Sequence, residues 1–527
     1  MIRIVAVSVL AGWTVLGNVT DAAAQLTDVT QAPNVINAGI QKSFQDEVGT
    51  GVGDVLTPGS STFIIKRDPA RAIRRGRQIF QRKFTLAQGQ GPRHGDGVGD
   101  IGSDGAIGAG LADSCAACHG RPRGAAGAGG DVATRPDSRD APHLFGLGLQ
   151  EQLGDEITTD LRTIRNEALA RARQSGQVVA RSLRSKGISY GTIKARPNGT
   201  VDTSGVRGVN GDLRVRPFFA EGGTISIREF LIGAFNNEMG LQAVDPCTLA
   251  ASAHAQVCVT AGGMVLDGTK DAIEAPRVTD ALADGDGDGV VNEIPTAIVD
   301  HMEVYLLNYF KPGLSRQTES ARRGLEYFKA IQCDSCHVQN LTIDHDRRVA
   351  DVETVFDAER GIFNRLFATA ATRFVENDDR SGFPTLKQPK REPFVVRNIF
   401  SDFRRHDLGP SFYERNFDGT TQKEFMTEAL WGVGTTAPYG HDGRSINLRE
   451  VILRHGGEAT ASRDAFATLH SDERNAILEF LETLVLFPPD DTASNLDPGN
   501  PSTPGFPQSG HGSIKLTVLF NDPSDVE

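Results

Sequence analysis

Two short cysteine motifs contain the residues of this sequence with the clearest chemistry. Four of the six cysteines lie in the pattern Cys-x-x-Cys-His, at 115–119 and at 333–337. Two thiols at this spacing lie on one side of a helical turn and can add to the two vinyl groups of one haem, while the histidine ligates the iron. Thioredoxin-like redox pairs and zinc sites do not require a histidine after both cysteine pairs. The sequence therefore predicts two covalently bound haem c groups. They are held by Cys115, Cys118, His119, Cys333, Cys336 and His337.

The N-terminus predicts export. Arg3 is followed by the mostly apolar run 4–16 and by three alanines at 22–24, which is typical of a secretory signal cleaved before Gln25. The run is too short and too interrupted by glycine for a comfortable membrane span, and no other candidate span follows. We therefore expect a periplasmic or secreted protein without a transmembrane segment in the mature chain. An uncleaved anchor is the alternative.

The remaining cysteines, Cys247 and Cys258, are candidates for a disulfide, because export permits one. Closing this short loop would contribute about 3 kcal/mol if the bond is unstrained. The alternative is two free thiols.

Similar helices flank each haem motif. Short amphipathic helices with a glycine before an aromatic residue are predicted over 72–80 and 321–328, and apolar closing helices over 296–310 and 471–486. This is the plan of a cytochrome c, present twice. The predicted fold class is mainly α, with two cytochrome c-like domains, long loops and a few short β-strands.

The predicted domains follow from this repetition. The first is longer than a minimal cytochrome domain and contains a basic helix over 158–186, a hairpin-like segment over 188–227 and a helix over 230–239. The boundaries are 1–24 for the signal peptide, 25–313 for the N-terminal haem domain with insertions, 314–489 for the C-terminal haem domain, and 490–527 for a linker and terminal strand.

The formal net charge of −12 argues against a nucleic-acid partner, because nucleic acids select basic surfaces. It fits a soluble protein with a basic redox partner. A solvated acidic surface without further meaning explains the charge equally well.

Several segments of the second half resemble the bacterial di-haem cytochrome c peroxidase superfamily, and within it the di-haem oxidoreductase branch. The segments are Pro438–Arg444, Leu448–Glu450 and His455–Ala459, with further likeness at Leu144–Glu151, Gly233–Asn236, His406–Gly409 and Leu430–Gly432. The resemblance covers most of the chain from Asp68 onwards and says little about the substrate.

The resemblance implies a sixth ligand for the iron of the C-terminal haem. In the peroxidases this is a methionine fourteen residues after the histidine that corresponds to His441, and here His455 occupies that place. The rubber oxygenases of the same superfamily also use histidine there. We predict bis-histidine ligation by His337 and His455, which should lower the potential of this haem. Met426 and His441 are competing ligands, and His455 could instead cap helix carbonyls.

For the N-terminal haem the resemblance implies a catalytic carboxylate, Glu151, beside Gln150 and Gln152. A structural carboxylate at a helix N-terminus is the alternative. His143 is a possible distal ligand or a loop histidine. Trp431 either couples the two haems or packs in the core.

An alternating Asp-Gly run suggests a Ca²⁺ site, because its carboxylates can fold around one small hard cation. Position twelve of an EF-hand would be glutamate but is Pro295 here, so this is not an EF-hand; a flexible acidic turn is the alternative. The candidate ligands are Asp284, Asp286, Asp288, Asn292 and Glu293.

Three functions remain open from the sequence. The first is a peroxidase-type oxidoreductase in which electrons enter at the His337 haem, from a small cytochrome or cupredoxin, and hydrogen peroxide is reduced at the His119 haem. The second is an oxygenase that acts on an apolar substrate with dioxygen. The third is an electron carrier without catalysis.

Overall fold

A computed structural model describes the chain between residues 56 and 485. The gaps are 58–59, 68, 83, 85–87, 90–113, 120–136, 138, 277, 285–288, 309–312, 315–316, 349, 357–367, 375, 378–384, 387–392 and 417. The signal segment and the predicted linker and terminal strand lie outside the described residues. The domain boundaries drawn from the sequence therefore stay predictions.

Helices dominate the described part of the chain, which confirms the predicted mainly α class with short strands. The helices are α1 (Ser61–Arg67), α2 (Pro69–Gln81), α3 (Cys115–His119), α4 (Leu147–Ser175), α5 (Ile227–Asn237), α6 (Pro246–His254), α7 (Thr296–Leu307), α8 (Glu319–Ala330), α9 (Leu448–Arg454), α10 (Thr460–Thr468) and α11 (Ser471–Glu482). None of the described helices is long and apolar enough to cross a membrane.

The strands are short and pair antiparallel. One three-stranded sheet contains β1 (Val179–Ser185), β2 (Ile188–Ala195) and β3 (Val201–Asp202) in that order. Two-stranded pairs join β4 (Val257–Val259) to β5 (Val265–Asp267), β6 (Gly313–Leu314) to β17 (Leu484–Val485), β7 (Leu341–Ile343) to β12 (Phe394–Val396), β8 (Ala350–Phe356) to β9 (Ala368–Phe374), β10 (Glu376–Asn377) to β11 (Thr385–Leu386), β13 (Arg405–Asp407) to β16 (Glu424–Met426), and β14 (Glu414–Arg415) to β15 (Thr421–Gln422).

The two haem motifs have matching helical supports. The predicted helix before each motif is present as α2 and α8, and α2 packs on α7 as α8 packs on α11. Both pairs cross at a glycine: a Cβ added to Gly76 would lie 2.2 Å from the carbonyl oxygen of His301, and one on Gly324 would lie 1.9 Å from that of Ala476. The glycines that precede Phe80 and Phe328 therefore permit close approach of two backbones.

Gly76→Ala should destabilise the protein by about 1–3 kcal/mol, because the new methyl group meets a backbone carbonyl that cannot turn away. Gly233→Ala is the matched control, since this helical glycine has only the side chain of Asn237 within 4 Å. The control should be neutral or stabilising by up to about 1 kcal/mol. Chemical unfolding of both variants tests this, and equal stabilities would contradict the close-crossing explanation.

The insertion differs from the predicted basic helix over 158–186. Helix α4 starts earlier and ends at Ser175, because Gly176 takes a left-handed conformation (φ 69°) that closes the last turn. From Val179 the exposed and buried residues alternate, and the chain forms β1. The hairpin-like segment that follows contains β2 and β3, and the predicted helix over 230–239 is α5.

Four apolar cores hold these elements in the described part of the chain, and the smallest of them surrounds Cys247. The first surrounds the α2–α7 pair and α5, the second lies between α4 and the β1–β2–β3 sheet, and the third surrounds the α8–α11 pair. Cys247 and Cys258 form the predicted disulfide, which fastens β4 to α6.

Candidate functional site

One large cavity connects the two haem motifs. It has a volume of about 1000 Å³, and its wall includes Cys115, Cys118 and His119 from the first motif and Cys333, Cys336 and His337 from the second. Single small-molecule sites usually have about 300–1000 Å³. The cavity is thus at the upper end of that range, and both predicted attachment sites open into it.

The two motif histidines have the same orientation. Nδ1 of His119 lies 2.6 Å from the carbonyl oxygen of Pro142, and Nδ1 of His337 lies 3.0 Å from that of Phe400. A carbonyl oxygen only accepts, so Nδ1 carries the hydrogen and Nε2 keeps its lone pair. This is the arrangement of a histidine that ligates a metal through Nε2.

His455 reaches the same cavity from the end of α9. Its Nδ1 donates to the carbonyl oxygen of Val451 at 2.7 Å, so His455 caps a helix carbonyl, as one of the alternatives from the sequence proposed. Its Nε2 still keeps the lone pair. Burial lowers the pKa of His455, and burial together with the nearby His455 lowers the pKa of His337 to about 4. Two imidazoles with lowered pKa values therefore line one cavity, as a bis-histidine iron site needs. The assignment of His455 as ligand stays a prediction.

The competing ligands for the second iron have other contacts. Nε2 of His441 lies 3.2 Å from a carboxylate oxygen of Glu414, and its ring stacks on Phe425 with centroids 4.0 Å apart. The sulfur of Met426 lies near Gly222, from which an added Cβ would be 3.2 Å away. Both residues line the same cavity as His455, so they stay competing ligands.

His143 uses both ring nitrogens. Nδ1 accepts from the backbone N–H of Phe145 at 3.2 Å, and Nε2 donates to the carbonyl oxygen of Trp431 at 2.7 Å. His143 therefore has no lone pair to offer an iron in this arrangement. Trp431 itself is almost fully buried in the second core, as its packing interpretation expects, and it also lines the cavity. Its coupling role stays a prediction.

Glu151 does not lie in the cavity, in contrast to the catalytic role that the resemblance implied. Its carboxylate accepts from the backbone N–H of Ile227 at 2.6 Å and pairs with Arg347 at 2.7 Å. The preceding residue, Gln150, does line the cavity, and successive residues of a helix point about 100° apart. Glu151 thus caps α5 from a neighbouring helix, a structural use.

His406 contacts two carboxylates, those of Asp402 and Glu458. Nε2 lies 2.9 Å from Asp402 and Nδ1 lies 2.9 Å from Glu458, so both nitrogens carry hydrogens. Burial would lower the pKa of His406, but the hydrogen bond to Asp402 raises it above its ordinary value. The positive charge of this imidazole lies beside the second haem motif.

A charged cluster joins the two halves of the chain at the cavity wall. Arg139 makes a bidentate contact with Glu414, at 2.8 and 2.6 Å, and a contact with Glu221 at 2.7 Å. Burial would raise the pKa of Glu414, but Arg139 and His441 lower it to about 2. This cluster joins residues 275 positions apart in the chain, which sequence reasoning had no means to pair.

The sequence analysis did not identify two further carboxylates that line the cavity. Glu238 follows directly on α5, whose Phe230 lies 6.5 Å from His119 between ring centroids. The sequence signal that could have identified Glu238 is its position two residues after the Gly233–Asn236 segment. Glu428 is exposed to the cavity, and desolvation by the surrounding walls raises its pKa against the effect of His441 and Arg139.

The Asp-Gly run gives a mixed result. Asp286 and Asp288 lie outside the described residues. Asp284 accepts from the backbone N–H of Gly289 at 2.9 Å, while Asn292 and Glu293 accept from the backbone of residues 244 and 242. The calcium site therefore stays a prediction.

The donor set fits haem. Burial raises the pKa of Cys115 and of Cys333 to about 12 each, whereas reactive redox pairs depend on a lowered thiol pKa. None of the four motif cysteines forms a disulfide. Four cysteines outside any disulfide, beside oriented imidazoles on one large cavity, suit thioether attachment and axial ligation.

A family match to part of the chain agrees with this interpretation. Among curated proteins, none matches the chain. Among solved structures, a chain of the hydrazine synthase of Kuenenia stuttgartiensis, pressurised with 20 bar xenon, is similar at 15% identity with a TM-score of 0.21. The similarity covers 36% of this chain and 55% of that chain, so it spans about half of the relative's length and defines no shared fold. A family model described as "Di-haem oxidoreductase, putative peroxidase" matches residues 337–484. This match confirms, for residues 337–484, the likeness to the di-haem oxidoreductases that the sequence indicated.

Proposed function

We propose that this protein is an exported di-haem c-type peroxidase. Peroxide is reduced on the His119 side of the cavity, and electrons arrive on the His337 side. The observation that carries the proposal is the shared orientation of His119, His337 and His455, each with Nδ1 hydrogen-bonded to a carbonyl, around one cavity. The family match supports an oxidoreductase.

Haem at His119 would supply the redox chemistry of O–O cleavage, and the residues around it would supply protons. Peroxide takes up two electrons and two protons and leaves as two molecules of water. A positioned carboxylate can deliver these protons. Glu238 and Glu428 line the cavity, and Glu151 does not, so we assign the proton-handling role to the first two.

The His337 side suits electron entry, because two strong axial ligands leave an iron no vacant position for substrate. His337 and His455 provide such a pair, and Phe412 lies 5.4 Å from the His455 ring. The proposal includes covalent attachment of the haems and a periplasmic location, because covalent haem attachment is consistent with the predicted signal peptide. The attachment residues are Cys115, Cys118, Cys333 and Cys336.

Glu238→Gln should reduce peroxide turnover about 100-fold, because it removes one acid–base group at unchanged shape. Glu428→Gln tests the other cavity carboxylate. Glu151→Gln is the matched control and should keep turnover in the fraction that folds. Turnover is measured on matured protein with a small-molecule reductant. Loss of turnover in Glu151→Gln alone would indicate that Glu151 is the catalytic carboxylate.

Two measurements distinguish the alternative functions. An EPR spectrum of the oxidised protein with one high-spin and one low-spin haem supports an enzyme, whereas two low-spin haems support an electron carrier. Turnover with dioxygen and an apolar substrate, without turnover with peroxide, would replace the peroxidase by an oxygenase. Mass spectrometry should find two haem groups that survive denaturation.

Calcium is a further part of the proposal, with Asp284, Asp286 and Asp288 as ligands beside Asn292 or Glu293. Metal analysis after exhaustive chelation and re-addition tests it. One equivalent of Ca²⁺ that is lost in an Asp286→Ala variant supports the site, and equal Ca²⁺ in both proteins would rule it out.

A further inference from the structure

The insertion in the first half has a charge opposite to that of the whole protein. Between residues 161 and 200 the chain has nine Lys or Arg residues and one acidic residue, Glu167, although the net charge of the chain is −12. This segment contains most of α4 and the strands β1 and β2. An isolated basic region on an acidic protein creates a local field that attracts anionic partners.

The outer face of the sheet displays this charge to solvent. Leu183, Ile188 and Ile193 point toward α4, and the alternate positions are exposed. Among these exposed positions are Arg184 on β1 and Lys194 on β2. The other outward positions of the two strands are mainly serine, threonine and alanine, which leave the cationic groups uncovered.

The basic residues continue from the sheet toward the second haem motif. The segment 205–208 runs beside β2, since the backbone N–H of Arg207 donates to the carbonyl oxygen of Tyr190 at 3.1 Å. The backbone N–H of Arg405 in turn donates to the carbonyl oxygen of Gly208 at 2.9 Å. Arg184, Lys194, Arg207 and Arg405 thus lie on successive, hydrogen-bonded stretches of chain, which we call the basic strip.

The cations of the strip are available to a partner. Within the described parts of the chain, Arg184 and Arg207 form no ion pair, and Arg405 bonds to the neutral side chain of Asn210. Asp202 opposes Lys194 in the sheet register, but its carboxylate contacts Arg196 and Ser204. The strip therefore keeps a positive excess.

The strip ends at the segment that supports His337. Arg405 precedes His406, which contacts Cys336 of the second haem motif. Beneath the sheet, the hydroxyl of Tyr190 donates to the carbonyl oxygen of Asp402 at 2.8 Å, and two residues earlier the carbonyl of Phe400 accepts from His337. A protein bound on the strip would therefore be connected to the electron-entry side through a few directly bonded groups.

We propose that the basic strip is the docking surface for a small acidic electron-donor protein. This inference rests on the proposed function only in assigning electron entry to the His337 side. It reverses the expectation of a basic partner that the net charge suggested, because the charge distribution and not the sum determines where a partner binds.

A charge-reversal pair of variants tests the proposal. The strip variant carries Arg184→Glu, Lys194→Glu and Arg207→Glu. The control carries Arg322→Glu, Arg323→Glu and Arg449→Glu, which reverse three exposed arginines of the C-terminal half and change the net charge by the same amount. The probe is a reduced acidic single-haem cytochrome c, and a basic one serves as the opposite-charge probe.

Reduction of the di-haem protein by the probe is followed without peroxide, and probe binding is measured by calorimetric titration. At an ionic strength of about 0.01 M, where exposed charges act over about 30 Å, the strip variant should lose about tenfold in rate constant and in affinity. The control should change less than about twofold. At about 1 M salt, wild type and strip variant should converge.

Equal losses in the two variants, or faster reduction by the basic probe, would overturn the docking proposal. The same holds if the strip variant keeps its rate with the acidic probe but loses retention on vesicles rich in anionic lipid. Since peroxide is absent from these measurements, failure of peroxide turnover with every reductant would refute the peroxidase proposal alone.

Discussion

Replacing Arg228 with methionine should destabilise the protein by about 3–5 kcal/mol, because it leaves buried carboxylates without their cation. The Arg228 side chain is 1% exposed. It contacts Asp245 twice, at 2.9 and 2.5 Å, and contacts Asp300 and Glu303 at 2.8 Å each. Loss of this residue should also loosen α5, which carries it. Chemical unfolding of the variant measures the cost.

The destabilisation caused by Arg228→Met should increase with pH. Burial raises the pKa of Glu303 to about 7, although Arg228 opposes the shift. A carboxyl group with a raised folded pKa stabilises the folded state below its unfolded pKa, near 4.5, and loses that contribution as the pH rises through about 7. Without Arg228 the pKa of Glu303 should rise further, so the variant should lose more stability at pH 8 than at pH 5.

The control for this substitution is Arg171→Met, which removes an exposed arginine of α4. Exposed substitutions of this kind usually change stability by less than about 0.5 kcal/mol. A cost for Arg228→Met no larger than that of the control, or one independent of pH, would mean that the buried cluster contributes little.

The second large effect is expected from His455→Ala. If His455 completes the second iron site, its removal should convert one low-spin haem signal of the oxidised protein into a high-spin signal. His455→Met should keep that signal low-spin and raise the potential, within the range of about 0.8 V that axial ligands control in haem proteins. Optical spectra, EPR and redox titration measure these changes.

His345→Ala is the matched control, because this histidine is exposed and lies outside the cavity wall. Its spectrum should equal that of the wild type. An unchanged low-spin signal in His455→Ala would exclude His455 as ligand and direct attention to Met426 or His441.

Local patterns predicted the supports of the site well. The helices before the motifs, the closing helices and the disulfide follow from periodicity, turn residues and cysteine spacing, which are properties of short stretches of chain. The placement of His455 in the same cavity as His337 agrees with the position that the resemblance indicated.

Contacts that depend on the three-dimensional arrangement could not be predicted from the sequence. Glu151 and Gln150 are adjacent in sequence, and only the packing of α4 decides which of them faces the cavity. Arg139 and Glu414, like Arg228 and Glu303, are distant in sequence and meet through the fold. The strand after Gly176 was mistaken for helix because alanine and arginine favour helices locally.

The hydrogen bond from His143 to the Trp431 carbonyl joins residues 288 positions apart in the chain. His143 directly follows Pro142, whose carbonyl group orients His119. The surroundings of the first motif are thus assembled from chain that is synthesised long after it. A fragment that stops near residue 313 would lack the Trp431 carbonyl and the Glu414 carboxylate, and would leave His143 and Arg139 without these bonds. Despite their repeated plan, the two halves cannot be expected to mature as separate proteins.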